Sequence, residues 1–381
     1  MKVTLFTFIL ASFVVSGLVG ETIQQTPLYR GITDVVRSEA QPQGARYLAF
    51  PSVLEVSPGV LWIAYKAGAS HATDAGAGIE IVRHDLATGR TELLQRLNPE
   101  PPKLYQMGEL ARFPDGSIGL YIDVHHVGHD NRHYRTGAES YRWDQGKKSF
   151  VGPEHMAPIG GVTYGYPLDF ATKGDTTWQL IMSFGYLAGG RWSVDVVRSD
   201  DSGKSWQFVR NLSQEFGDLR INESALVPFG DGFIVTTRGY DGRERLHRVD
   251  GQFKLQQQVD LTERYDFINR YIGRPRIFIR DGKGYLMGRN WTRPLDAPAE
   301  RGGTPGAMKL SLFRFDLATL AVEAHTVLDN AEEANVTDGY YAVPVFSERN
   351  GETFLHAITY KAFNKQPPDI VRLDYRWQQV K

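Results

Sequence analysis

Glu223 lies in the run Asn222-Glu223-Ser224-Ala225, which continues through apolar residues to Gly230-Asp231-Gly232, and Arg238 follows fifteen residues after the glutamate. Two β-strands joined by a short turn at Asp231-Gly232 return the guanidinium to the side of the carboxylate. A carboxylate so placed can take a proton, and a guanidinium can hold an anion through charge-assisted hydrogen bonds. Other chemically able side chains stand far away in the chain: Arg46 before Phe50-Pro51-Ser52, His71 and Asp74 in Ser70-His71-Ala72-Thr73-Asp74, Arg274 and Arg276 around Pro275, and Tyr340 and Tyr341 after Asp338-Gly339. Strand alternation puts Arg274 and Arg276 on one face and the two tyrosines on opposite faces, so one tyrosine alone can enter a shared site. Which tyrosine and which arginine enter stays open at this level. A further cluster, His125-His126-Val127-Gly128-His129-Asp130-Asn131-Arg132-His133, has no metal-site spacing of the helical or finger kind, and a sugar-contacting loop is the expected role.

Residues so widely separated need a framework that gathers them. The chain repeats a unit of an apolar strand, a Gly-containing turn, a second strand and a more polar hairpin. First strands are expected near Phe50-Pro51-Ser52-Val53, Leu110-Ala111-Arg112-Phe113, Tyr164-Gly165-Tyr166-Pro167, Asn222-Glu223-Ser224-Ala225, Gly273-Arg274-Pro275-Arg276 and Tyr340-Tyr341-Ala342-Val343. The spacing of about 50 to 65 residues suits a four-stranded propeller blade with loops. Pro114-Asp115-Gly116, Gly230-Asp231-Gly232 and Arg280-Asp281-Gly282 are hairpin turns, and outer strands are expected at 79–82, 194–197 and 310–313. The pattern predicts an all-β, six-bladed β-propeller, in which the innermost strands converge so that residues near their ends meet at one mouth.

Ser199-Asp200-Asp201-Ser202-Gly203-Lys204-Ser205-Trp206 matches the Asp-box S-x-D-x-G-x-x-W in full, with degraded versions at 84–91 and 315–320. With the Asn-Glu-Ser module and its following arginine, these residues resemble the sialidase superfamily over almost the whole of 21–381, which is read as one domain. The resemblance implies that Glu223 partners a tyrosine nucleophile, Tyr340 or Tyr341. It implies a carboxylate clamp from Arg46, Arg238 and one of Arg274 and Arg276, and an acid/base from Asp74 or His71. Three guanidiniums suit a substrate carboxylate, and a neutral phenol avoids the repulsion that an anionic sugar exerts on a carboxylate nucleophile. A free tyrosine near pKa ~10 needs the base beside it. A weaker resemblance links His125 and Tyr164 to propeller-type ulvan lyases, with Tyr105 standing where their partner histidine lies.

Three readings follow. The leading one is an exported exo-glycosidase acting on terminal acidic sugars (sialic, other ulosonic or uronic acids). The alternatives are a lyase cleaving uronate polysaccharide by β-elimination and a non-catalytic sugar-binding propeller. Trp143, Trp192 and Trp291 are candidate stacking platforms, and Asn211, Asn222, Asn290 and Asn335 begin sequons that a bacterial host leaves idle.

A net charge of -1 on 381 residues gives no electrostatic footprint for nucleic acid or an anionic membrane surface. Lys2 followed by the apolar run 3–19, ending at Gly20, reads as a secretory signal over 1–20, so a secreted or periplasmic location without a membrane anchor after cleavage is expected. With no cysteine there is no disulfide, lipoprotein anchor or thiolate metal site. No cofactor motif is present, and no catalytic metal is expected; a structural calcium on loop oxygens stays open. The expected partner is an acidic carbohydrate and the expected form a monomer.

Overall fold

The computed structural model describes residues 24–25, 29–72, 74, 76–128, 133–183, 193–291, 308–329 and 336–381. The segment read as a signal, residues 129–132, Trp192 and Asn335 lie outside them, as does the side chain of His133.

Six sheets, antiparallel but for the short parallel strand Gln24–Gln25 beside Val322–Asp329, form a six-bladed β-propeller. Blade one runs from Tyr47–Ser57 through Val60–Gly68 and Gly78–Asp85 to Thr91–Leu97. The innermost strands of blades two to five are Lys103–Arg112, Gly165–Lys173, Ile221–Phe229 and Gly273–Arg280. Blade six has a divided inner edge, Val336–Gly339 and Val343–Arg349, both paired with Glu352–Phe363. Its outermost strand is Tyr29–Val36, which pairs with Asp369–Arg376 and so ties the two ends of the chain into one sheet. That pairing closes the ring through backbone hydrogen bonds. Blade two starts earlier than its sequence pattern indicates: Leu110 stands near the end of the first strand, not at its beginning.

Local chemistry sets the turns between third and fourth strands. In the Asp-box hairpin, Asp201 accepts from the Ser205 amide at 2.9 Å and the Ser199 hydroxyl accepts from the Gly203 amide at 2.7 Å. Ser202 and Gly203 both take positive φ, a conformation glycine adopts without penalty, and a Cβ at Gly203 would lie 2.4 Å from the Phe113 ring. Trp206 packs against Phe113, Tyr121 and Phe170. Asp85, Asp144, Asp250 and Asp316 accept turn amides in the same way in blades one, two, four and five.

Between blades the core is aromatic and aliphatic. Phe233, 1% exposed, stacks on Phe253 at 4.6 Å and meets Trp178 of the preceding blade at 5.5 Å. Trp143 serves blade packing too, with its ring 4.4 Å from Trp62. Phe233→Ala should lower unfolding free energy by about 3–5 kcal/mol in denaturant titrations, the range for emptying a buried aromatic position. A loss below about 1 kcal/mol would show that this inter-blade joint is not under tension from packing.

Candidate active site

All six innermost edges are interrupted at one level around the axis. Pairing skips between Ala49 and Ser52, Tyr105 and Met107, Gly165 and Pro167, Ile221 and Ser224, and Gly273 and Arg276, and blade six breaks between Gly339 and Val343. Phe50, Tyr166, Arg274 and Tyr340 hold φ of +58°, +48°, +44° and +66° there. The first three precede proline, which has no amide hydrogen to offer a ladder and so fits a bulge. A bulge bends the strand and re-aims its side chain. The skipped residues include Phe50, Gln106, Tyr166, Asn222, Glu223 and Tyr341, and these six line a cavity of about 480 Å³.

Glu223 is its electrostatic centre. It is 4% exposed and accepts from Tyr166 Oη at 2.7 Å, from the Arg274 backbone amide at 2.9 Å and from the Arg238 guanidinium. Burial pushes its pKa up, but Arg238, Arg274 and Arg289 outweigh that and hold it at about 2. Arg238 also lies 3.8 Å from the centre of the Tyr271 ring. The return of Arg238 to Glu223 follows the hairpin of Ile221–Phe229 and Gly232–Gly239, in which Ile221 pairs with Gly239.

Tyr341 is the tyrosine that enters. Its hydroxyl is 3.4 Å from Arg238 Nη1, and its ring carries Arg289 at 4.4 Å on one side and Phe50 at 5.6 Å. Burial raises the phenol, Arg289 and Arg238 pull it down and Glu223 pushes it up, leaving it at about 12. Tyr340 turns the other way: it is fully buried among blade-five and blade-six core residues and donates to Asp329 at 2.5 Å. The left-handed backbone at Tyr340 separates the two neighbours.

Arg289 lay outside the sequence expectation. It stands near the end of Lys283–Trp291, the second strand of blade five, as Arg238 stands near the end of the second strand of blade four. That repeat position was the available signal. A Cβ at Gly273 would meet Arg289 Nε at 2.7 Å and Tyr341 Cε1 at 3.1 Å, so glycine leaves the room that both need. Arg135, also unanticipated, brings a guanidinium to the cavity from blade two and lies 5.9 Å from the Tyr166 ring centre.

His71 and Asp74 part company. His71 lines the cavity, its Nδ1 2.7 Å from Asp338 Oδ2 and 3.1 Å from Tyr47 Oη. Burial opposes ionisation of Asp338, yet His71 and Arg289 hold its carboxyl well below the ordinary range. Asp74 is buried within its own loop, accepting from the Ala69 and Ser70 amides at 2.5 and 3.2 Å, with Lys66 Nζ at 3.8 Å. Those bonds hold the loop that presents His71 and keep the Asp74 carboxylate out of the cavity.

The remaining expectations are redistributed. Arg46 is exposed and does not line the cavity, and the residue two before Pro51 is Ala49, fully buried. Arg274 and Arg276 do share a face, but both guanidiniums go beneath the site to Glu109, at 2.7 and 2.8 Å, and Arg276 also reaches Asp169 at 2.9 Å. They neutralise buried carboxylates and do not line this cavity, although the Arg274 amide holds Glu223. His125 lines the cavity with Nε2 2.9 Å from Asp123. Tyr164 does not: it donates to Asp195 at 2.6 Å inside blade three, and Tyr166 occupies the axial position. Tyr105 is likewise internal, donating to Glu139 at 2.5 Å. Among the described residues no group of three or more His, Asp or Glu side chains is placed to hold a metal ion. None of their helices is long and apolar enough to cross a membrane.

The fold is a six-bladed β-propeller of the kind seen in solved sialidases. Among solved structures, the chain is similar to a protein of unknown function from Dyadobacter fermentans, at 15% identity and TM-score 0.67, covering 91% of this chain and 98% of that one. It is also similar to the K499G mutant of the NanB sialidase from Streptococcus pneumoniae, at 10% identity and TM-score 0.61, covering 91% and 71%. The Trypanosoma rangeli sialidase with the inhibitor DANA is similar at 11% identity and TM-score 0.55, covering 92% and 59%. No family model matches the sequence, and no curated protein matches it.

Because Glu223 titrates near 2 when folded against an ordinary 4.5, its contribution to stability is complete above pH 4.5 and is lost as pH falls toward 2. Glu223→Gln should therefore flatten the acid limb of the denaturation midpoint between those values at constant ionic strength. An unchanged slope would mean that the three arginines do not hold the carboxylate.

Proposed function

We propose that this chain is an exo-acting glycosidase for a terminal acidic sugar, with Tyr341 as nucleophile, Glu223 as its base and His71 as the proton donor to the leaving oxygen. The reading rests on one observation: Tyr341 and Glu223, from different blades, share the guanidinium of Arg238 at the floor of a single cavity. In the resting site Glu223 at about 2 is too weak a base for a phenol at about 12. A substrate carboxylate drawn to Arg238 competes with Glu223 for that cation, and the glutamate becomes more basic as its partner is shared. Arg289, against the Tyr341 ring, favours the phenolate as the proton leaves.

The phenol oxygen then attacks the anomeric carbon, the glycosidic C–O bond breaks, and His71 gives its proton to the departing alkoxide. Asp338, held ionised beside Nδ1, stabilises the imidazolium before transfer. Water, giving a proton to His71, attacks the anomeric carbon; the bond from that carbon to Tyr341 Oη breaks, Glu223 returns its proton to the phenolate, and the sugar is released. Arg135, His125 and the buried Asn222 Oδ1, which has no hydrogen-bond partner among the described residues, supply recognition groups for the rest of the sugar.

Sialosides, other ulosonic-acid glycosides and uronate polymers, assayed for both reducing sugar and ultraviolet-absorbing unsaturated product, test the assignment. Tyr341→Phe should cut release of reducing sugar by at least about a hundredfold with folding intact, and His125→Ala should raise KM while keeping kcat within about tenfold of wild type. Unsaturated product, or full turnover by Tyr341→Phe, would overturn it. His71→Asn should cripple cleavage of alkyl glycosides while leaving nitrophenyl glycosides, whose leaving group needs no proton, within about tenfold of wild type. Equal losses on both would remove His71 as the acid.

A further inference from the structure

At the opposite ends of the blade-six strands lies a cavity of about 700 Å³, lined by Ser347, His356, Asp374 and Arg280 among others. Ser347 lies six residues beyond Tyr341, about 20 Å away at ~3.3 Å per residue of strand. Ser347 Oγ is 2.8 Å from His356 Nε2, and His356 Nδ1 is 2.6 Å from Asp374 Oδ1. The sheet register makes this alignment: His356 is directly opposite Asp374 on one side and Val345 on the other, so Ser347 is its diagonal neighbour on the same face.

Hydroxyl–imidazole pairs occur elsewhere in the ring, as Thr91 with His84, Thr237 with His247 and Ser311 with His325, at 2.8, 2.8 and 3.1 Å. Those three histidines are driven toward the neutral form, chiefly by burial, to about 4, 3 and 4. No carboxylate is bonded to their second nitrogen among the described residues, and two of them stack on phenylalanines. Their role is packing within the blades. His356 differs because a carboxylate stands at Nδ1 and its serine borders open space. Asp374 is in turn fixed by Arg372 Nε at 2.9 Å, which keeps it ionised and oriented. Arg280 completes the wall. Its Nη2 is 3.2 Å from Glu348, and its guanidinium lies 4.3 Å from the centre of the Phe346 ring.

We infer that Ser347, His356 and Asp374 form a second, nucleophilic site that cleaves small carboxylic esters, separate from the axial cavity. Ser347 Oγ attacks the acyl carbon as its proton passes to His356 Nε2. The ester C–O bond breaks and the alcohol departs with that proton. Water, deprotonated by His356, then attacks the acyl–serine and releases the acid and the free hydroxyl.

The full chain treated with a fluorophosphonate probe should acquire one adduct, mapped by mass spectrometry to Ser347, and should hydrolyse p-nitrophenyl acetate. Ser347→Ala should lose both, and His356→Ala should slow labelling by about a hundredfold or more. Asp374→Asn should slow it too and shift the pH profile of labelling, a readout that mere support of the sheet would leave unmoved. Absence of an adduct at Ser347 in the wild-type protein would overturn the inference even if every variant misfolded. So would an adduct formed equally fast in a folded His356→Ala protein.

Discussion

The common interruption of the innermost strands is the constraint on which the site depends. An unbroken strand sends alternate side chains to its two faces, and an interruption re-aims side chains that would otherwise enter the blade interfaces. Here each inner edge yields at the same height, in blades one, three and five with a bulky residue at positive φ. Such a conformation costs on the order of 1–3 kcal/mol per residue. The surrounding blades offset it by packing, and the released side chains face one another across the axis.

Concentrating polar groups on an axis creates a second problem, buried charge. The structure meets it with alternating signs. Glu223 is matched by Arg238, and directly beneath, Glu109 is matched by Arg274 and Arg276, with Asp169 bonded to the latter. Compensation is incomplete at Asp169, where burial and the nearby Glu109 carboxylate still leave the pKa raised to about 6. This ionic layer separates the upper cavity from a smaller one of about 340 Å³ at the other mouth, which Glu109, Asp169 and Arg276 line from above. Removing one member would leave a partner charged and unpaired in a dry setting, a much larger penalty than the net worth of the pair.

The two ends of the blades have different demands. At the axial mouth the backbone is irregular, and side chains from several blades must converge. At the hairpin end, turns are closed locally by aspartates such as Asp85, Asp201 and Asp316, and side-chain constellations form within one sheet from register alone. Ser347, His356 and Asp374 belong to the second kind: three adjacent strands of one blade suffice to align them.

Period-two alternation, Asp-Gly turns and the Asp-box made the six-bladed architecture legible in the sequence, because each is a short-range property of the backbone. The Glu223–Arg238 pair was legible for the same reason, being one hairpin. The choice between Tyr340 and Tyr341 was not, since alternation states that they diverge and only the left-handed turn at Tyr340 fixes which one faces the axis. Arg274 and Arg276 share a face as alternation requires, but Glu109, more than a hundred residues away, draws both guanidiniums downward. Asp74 and Tyr164 were of the right type and in the right stretch, yet local amides capture one and Asp195 the other. Residue type and spacing thus determined what chemistry was possible, whereas the partners that consume or release each polar group, set by contacts between blades, decided which side chains line the cavity.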